Sequence, residues 1–458
     1  MSKTTAPERQ WKTPAFVPRE NIIERSQAVL AADSIAIGER EDIFRVSAVG
    51  LDWDMGLMAY TPAKTDDIAR GADGKKIGIF MLHGGSGDYK SMEPFARLFA
   101  EKFGCKVVSM SFPGRHYLED PARDWPGDTI NPDGSVRTPI WQKGEAITRD
   151  QYDVVKDTSK QLRYATRTLA RAKPGTTFWN RMAGWPAAFE EGMKDAMRRH
   201  FPQDDYSIYV TGHSTGGPIT FMISQRVPNI AGVIAVEHSP FGFIHEQQQA
   251  WSGSLGKIGG FERVKTTPSG RDDPFNELYI RTWRDIARYR GPEALGQEGP
   301  NALMRLPSLM EEILTSWENA RRRPQFKAEY IITHNIGASL ERAARATAER
   351  LQLDQTATDD LVRHYRGYAY PLTGPGAKPV PPVLYCIAKD SRDHSQEVYE
   401  QVVLPLFKTI EPVPRVELTR FGAGVHFYVK GEEDLPLGIA PVVAEHYVTA
   451  IQQGYFVD

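Results

Sequence analysis

The arrangement in this sequence best suited to covalent chemistry is Gly212-His213-Ser214-Thr215-Gly216. A serine hydroxyl is a weak nucleophile until a neighbouring base takes its proton. The five residues fit G-x-S-x-G, in which the serine occupies a tight turn between a strand and a helix. Side chains two residues to either side would collide, so small residues are required there. The bare pattern also arises as an incidental glycine-rich turn, but its setting here is specific. Tyr206 to Thr211 reads as a strand leading in, and Gly216-Gly217 open an apolar helix that runs to about Val227. Such a turn lifts the hydroxyl above the sheet and aims a helix N-terminus at the reacting carbonyl, where its positive end favours developing negative charge.

A serine nucleophile needs a base, and His426 is the candidate. It ends the loop Gly422-Ala423-Gly424-Val425-His426, directly after the last apolar strand. Flanking glycines suit a loop that must deliver an imidazole to a hydroxyl. Neutral imidazole can take the hydroxyl proton near pH 7 and return it to the leaving group. His446 lies on the apolar face of the last helix and reads as a packing residue; His213 and His83 read as shaping the pocket. The base needs an orienting carboxylate, for which three residues compete. Glu237 follows an apolar strand directly, in Ala235-Val236-Glu237-His238-Ser239-Pro240, where a buried carboxylate without a partner is costly. Asp390 and Asp393 follow the next strand, in Ala388-Lys389-Asp390-Ser391-Arg392-Asp393-His394. The plain alternatives are a salt bridge for Glu237 and helix N-capping for the aspartates.

The elements that must position these residues alternate between strand and helix. Ile43 to Val49 and Trp53 to Tyr60 read as strands joined through Gly50. Ile77 to Leu82 is almost wholly apolar, as in a parallel strand buried on both faces, and leads into His83-Gly84-Gly85-Ser86-Gly87. A helix carrying Met92, Phe95, Leu98 and Phe99 follows, then a strand over Lys106 to Met110. Strand, helix, strand is the signature of a parallel sheet. Further strands are expected at Ile230 to Val236, Val383 to Ala388 and Val416 to Phe421, and a short helix at Ile22 to Ala32. Residues 115–200 form an excursion, rich in Pro, Gly, Asp and Trp up to Trp141 and mostly helical in composition from Tyr152 to His200. Residues 241–378 break the alternation. Leu306, Leu309, Met310, Ile313, Leu314 and Trp317 follow helical spacing, and Ala338 to Leu353 is a helix former. This predicts a helical cap closed by a Pro/Gly-rich return, Pro371 to Pro382.

From about Ile43 to the C-terminus, interrupted by the cap, the chain resembles the α/β-hydrolase superfamily. The resemblance rests on the elbow motif, on His83-Gly84-Gly85 after the third strand, and on the order of nucleophile first and histidine last. It implies an α/β fold with a mostly parallel central sheet flanked by helices and a large helical cap inserted after the sixth strand. The organisation is then an arm (1–40), core (41–240), cap (241–378) and core again (379–458). It implies that His83-Gly84-Gly85 is the oxyanion loop, with the backbone N–H groups of Gly85 and Thr215 as donors. Most members place the acid after the seventh strand, which favours Asp390 or Asp393, although neither meets the usual glycine-acid spacing. A subgroup of bacterial esterases uses a glutamate after the sixth strand, and the surroundings of Glu237 look like that subgroup.

The implied activity is hydrolysis of a carboxylic ester or amide through an acyl-enzyme. Carbon–carbon bond hydrolysis, acyl transfer, and a ligand receptor on the same fold are the other readings. No metal or cofactor motif is present. The net charge of −2 gives no electrostatic reason to expect nucleic acid. The expected partner is a small molecule with an apolar or aromatic part, met by tryptophans of the cap and excursion; a homo-oligomer fits equally. Two cysteines, Cys105 and Cys386, both in apolar strands, suit a reducing compartment. The polar N-terminus lacks a secretory apolar region, and no stretch reaches the roughly 18–20 apolar residues of a membrane span. A cytoplasmic enzyme is the expectation.

Overall fold

The computed structural model describes residues 9–84, 88–113, 141–145, 148–157, 167–173, 175–213, 216–236, 341, 345, 348–349, 352–367, 376–390, 404–408, 410–425 and 428–457. Eleven strands fall within them: β1 (Phe16–Val17), β2 (Ile37–Ala48), β3 (Leu51–Pro62), β4 (Lys76–Leu82), β5 (Lys106–Met110), β6 (Tyr152–Asp157), β7 (Arg167–Ala172), β8 (Tyr206–Gly212), β9 (Ile230–Val236), β10 (Val383–Ile387) and β11 (Val416–Phe421). The helices are α1 (Arg19–Ala31), α2 (Glu93–Arg97, extended by single turns on both sides), α3 (Thr177–His200), α4 (Gly216–Ile223), α5 (Gln355–Gly367), α6 (Leu404–Phe407) and α7 (Ala440–Gln452).

Nine strands form one twisted sheet in the order β1-β11-β10-β9-β8-β4-β5-β3-β2. All neighbours are parallel except β3, which is antiparallel to both β2 and β5. Chain order reverses at β4, whose two neighbours are β5 and β8. A crevice at the carboxyl ends of strands at such a switch point is where open α/β sheets bind ligands. Apolar side chains alternate across the sheet. Ile77, Ile79 and Met81 of β4 pack with α1, α2 and α7 on one face. Phe80 and Leu82 pack with α3 and α4 on the other. The central strands are therefore buried on both sides, which is why their sequences read as continuous apolar runs.

All eight strands expected from sequence are present in this sheet, and the fold is that of the α/β-hydrolases. Three features differ from expectation. The arm contributes β1, a two-residue edge strand paired with Arg420 and Phe421. The edge strand β2 starts at Ile37, six residues before the expected start, because Ile37 to Asp42 pair with β3 through to Pro62. The stretch from Tyr152 is not helical throughout. β6 and β7 form an antiparallel pair, Val154 opposite Ala170 and Val155 opposite Leu169, before α3 begins at Thr177. Local strand pairing there overrides a helix-like composition. Of the expected cap, residues 241–340 lie outside the described residues. Glu341, Arg345, Ala348 and Glu349 are helical, and α5 follows.

Candidate active site

Three pairs of chain ends meet at the carboxyl edge of the sheet. The first is β4 with β8. Leu82 at the end of β4 pairs with Gly212 at the end of β8, and the His213 N–H donates to the Leu82 carbonyl (2.9 Å). The Gly216 N–H then donates to the His213 carbonyl (2.9 Å), and three residues, 213–215, separate the end of β8 from the start of α4. The glycines are required by contact. A Cβ on Gly212 would stand 2.4 Å from the Gly216 carbonyl carbon. A Cβ on Gly216 would stand 2.6 Å from the His83 carbonyl oxygen. The elbow is thus packed directly onto the strand that leads into the expected oxyanion loop. Helix α4 starts at Gly216 and points its N-terminus along the same edge.

His83 is fully buried, its ring against Phe112 with centroids 3.7 Å apart. Its Nε2 accepts the Phe112 N–H (3.3 Å), and its Nδ1 lies 2.6 Å from the Gly84 carbonyl. A nitrogen facing a carbonyl must carry the proton, so the neutral Nδ1–H tautomer is the one that satisfies both contacts. His83 therefore ties the start of the loop to the end of β5. The sequence placed it in the pocket region but could not give this role, which depends on Phe112 lying beside it in space.

The second and third pairs are β9 with β10 and β10 with β11. Val236, the last residue of β9, pairs with Cys386, and the Tyr447 hydroxyl of α7 donates to the neighbouring Ala235 carbonyl (2.6 Å). The β10–β11 ladder continues past both strands. Lys389 N–H donates to the Ala423 carbonyl (3.1 Å), and Asp390 N–H to the Gly424 carbonyl (3.0 Å). Asp390 is bridged to Val425 and is exposed. Gly424 has φ +88°, and Ile439 would meet a Cβ there at 2.7 Å, so the turn into this loop depends on glycine. On its far side the Tyr428 hydroxyl donates to the Cys386 carbonyl of β10. These two tyrosines fasten the strand ends, and nothing in the sequence marked them.

Gly85, Ser214, Thr215, Glu237, Asp393 and His426 lie outside the described residues. The structure brings their flanking residues to one edge: Gly84, His213, Gly216, Val236, Asp390 and Val425. Trp141 is fully buried against Trp53 and Phe178, so it is core and not pocket lining. Of the tryptophans of the excursion and cap, Trp125, Trp251, Trp283 and Trp317 lie outside the described residues, as does Phe261 of the cap. His446 is buried, as its helical face predicts, between Trp11 and Phe421. Burial, helped by the Arg25 charge, pushes it down to about 3. Among the described residues no group of three or more His, Cys, Asp or Glu could hold a metal ion, and no helix is long and apolar enough to cross a membrane.

The class 3 lipase family matches residues 146–229, a span that includes the whole elbow. No curated relative matches the chain in sequence. Among solved structures, acetyl xylan esterase 1 from a Thermoanaerobacterium species is 11% identical, with 96% of this chain and 97% of that chain covered at a TM-score of 0.34. A lipase in an open form is 11% identical over 90% of this chain and 98% of its own, with a TM-score of 0.36. Pyrococcus horikoshii acylaminoacyl peptidase is 11% identical over 91% and 41%, with a TM-score of 0.35. The sheet that reverses at β4 and the two glycines closing the turn from β8 into α4 give the chain an α/β-hydrolase-type fold, and over residues 146–229 it is similar to the class 3 lipase family.

Proposed function

We propose that the chain is a serine hydrolase that cleaves a carboxylic ester through an acyl-enzyme intermediate. The observation that carries this reading is the contact between Gly212, Gly216 and the His83 carbonyl, which leaves room for a turn and for nothing larger. Ser214 stands inside that turn in sequence, and a strained strand-to-helix turn is the setting in which a serine becomes a nucleophile. Ser214 attacks the ester carbonyl while His426 takes its proton. The backbone N–H groups of Gly85 and Thr215 receive the developing oxyanion, aided by the N-terminus of α4. His426 then protonates the leaving alcohol, and the same base activates water to release the acid.

The bridge between Asp390 and Val425 supports Asp390 as the orienting carboxylate, since it sets Asp390 directly across from Val425, the residue before His426 in sequence. Glu237 remains its competitor, because it directly follows Val236 at the same edge. Asp393, three residues past Asp390, is the third candidate. The substrate is a small molecule with an apolar or aromatic acyl or alcohol part, and no cofactor takes part. The cellular setting that suits two buried free thiols, Cys105 and Cys386, is the cytoplasm. The test is a panel of 4-nitrophenyl esters of increasing acyl length with the wild type and Ser214→Ala. Turnover of at least one ester that falls about 10⁴-fold or more in the variant supports the reading. Equal turnover by both proteins overturns it. Acyl transfer to an added alcohol in place of acid release would reassign the same residues to a transferase.

A further inference from the structure

Among the described residues, β2 is one edge of the nine-stranded sheet and pairs with β3 alone. The hairpin turn between them is Val49–Gly50, both at positive φ (53° and 68°). A two-residue turn of this type closes on a hydrogen-bonded pair, here Ala48 with Leu51. Alternation then follows along the strand: even-numbered residues of β2 direct their backbone N–H and C=O at β3, and odd-numbered ones direct theirs outward. A second bond confirms the phase. The Gly56 carbonyl accepts from Ser111 N–H (2.9 Å), so Gly56 faces β5 and its partner across the ladder, Ile43, faces the open edge.

The outward residues are Ile37, Glu39, Glu41, Ile43, Arg45 and Ser47. Ile43 is 50% exposed, one of three large apolar side chains among the described residues with such exposure. An open edge of this length is a template for another strand, and charges commonly blunt it. The charges on this edge have an order that is complementary to itself. An antiparallel second copy must set odd residues opposite odd residues, which leaves three central registers. With Ile43 on Ile43, Glu41 faces Arg45 twice, Glu39 faces Ser47 twice, and no like charges meet. A shift of two residues one way keeps Glu39 opposite Arg45 but sets Asp42 against Asp42. The opposite shift places Ile43 on Arg45 and has no opposed charge pair. Cross-strand pairs of opposite charge support a ladder and like charges oppose it.

We propose that β2 docks antiparallel on β2 of a second copy of this chain, centred on Ile43, joining two nine-stranded sheets into one. Arg45 reaches the edge from its bond to Asp54 (2.8 Å), and Glu41 stays exposed while accepting from the Tyr89 hydroxyl. The register can be tested by cross-linking. Facing residues of a hydrogen-bonded antiparallel pair have Cα atoms about 5.5 Å apart, within disulfide reach. The two copies of Glu41 would be about 14 Å apart, from four residues of strand rise and the strand spacing, and out of reach. The native thiols of Cys105 and Cys386 are buried and do not compete. Under mild oxidation the full-length Ile43→Cys protein should become a covalent dimer at least tenfold faster than Glu41→Cys. Sedimentation of the wild type across micromolar concentrations should show a monomer–dimer equilibrium. Ile43→Lys should weaken that equilibrium at least tenfold while leaving ester turnover and the thermal midpoint unchanged. Equal cross-linking of the two cysteine variants, a wild type that stays monomeric, or a dimer indifferent to Ile43→Lys would each overturn the proposal.

Discussion

Val236 and Asp390 stand at the ends of adjacent strands, so whether Asp390 or Glu237, the residue after Val236 in sequence, is the proposed orienting acid is a question about single residues. An acid that holds the imidazole in its working tautomer is worth about 10⁴-fold in kcat, as the loss on converting such an aspartate to its amide shows. Asp390→Asn should therefore lower kcat by about 10⁴-fold with KM little changed, and Glu237→Gln by less than about tenfold. The reverse pattern in steady-state kinetics would move the role to Glu237. His446 has a different consequence, for stability. Its folded pKa is depressed to about 3 by burial, whereas the unfolded chain takes up the proton near pH 6.5. Its contribution is complete above about pH 6.5 and is lost as the pH falls toward 3, at up to about 1.4 kcal/mol per unit. His446→Gln breaks the 3.1 Å contact with Thr419 and should be less stable at pH 8. Between about pH 6.5 and 4 its urea midpoint should fall less steeply than that of the wild type.

In the proposed function, the turn from β8 into α4 is the element on which turnover depends. Gly212→Ala or Gly216→Ala places a methyl group 2.4 or 2.6 Å from backbone atoms that cannot rotate away. Overpacking of this kind costs about 1–3 kcal/mol, so both variants should show a lower denaturant midpoint together with lost turnover. Gly50→Ala, with nothing within 4 Å of its Cβ, meets only the strain of a positive φ and should keep turnover. This contrast shows why the elbow was legible in the sequence. Its glycines are demanded by local geometry, and local geometry is what a short motif records. The buried strands were legible for a similar reason, since burial on both faces leaves a run such as Ile77 to Leu82 with no polar face. The β6–β7 pair was not, because its stability comes from partners such as Val155 and Leu169, fourteen positions apart in the chain. The ties made by Tyr428 and Tyr447 were hidden for the same reason: each hydroxyl meets a carbonyl supplied by a distant strand.

For the whole molecule, one sheet collects the expected site from chain segments far apart in sequence. β4, β8, β9, β10 and β11 all end at one edge, and the segments proposed as oxyanion loop, nucleophile, Glu237, Asp390 and histidine loop follow these strand ends in sequence. The arm closes the opposite side of the structure. Gln10 and Trp11 N–H both donate to the Gln453 carbonyl (3.0 and 3.1 Å), and Arg9 meets Glu417 at 2.6 Å. Among the described residues, β2 is the edge of the sheet farthest from β1 and β11, so the proposed pairing lies at the other end of the strand order from β11.

Labelling with a fluorophosphonate, followed by mapping of the modified peptide, tests the central claim most directly. Such a reagent reacts with a serine only where a neighbouring base activates it. The account predicts one modified peptide, carrying the adduct on Ser214, and its loss in His426→Ala at an unchanged thermal midpoint. A folded wild type that takes no label, or labelling that persists in His426→Ala, would contradict it.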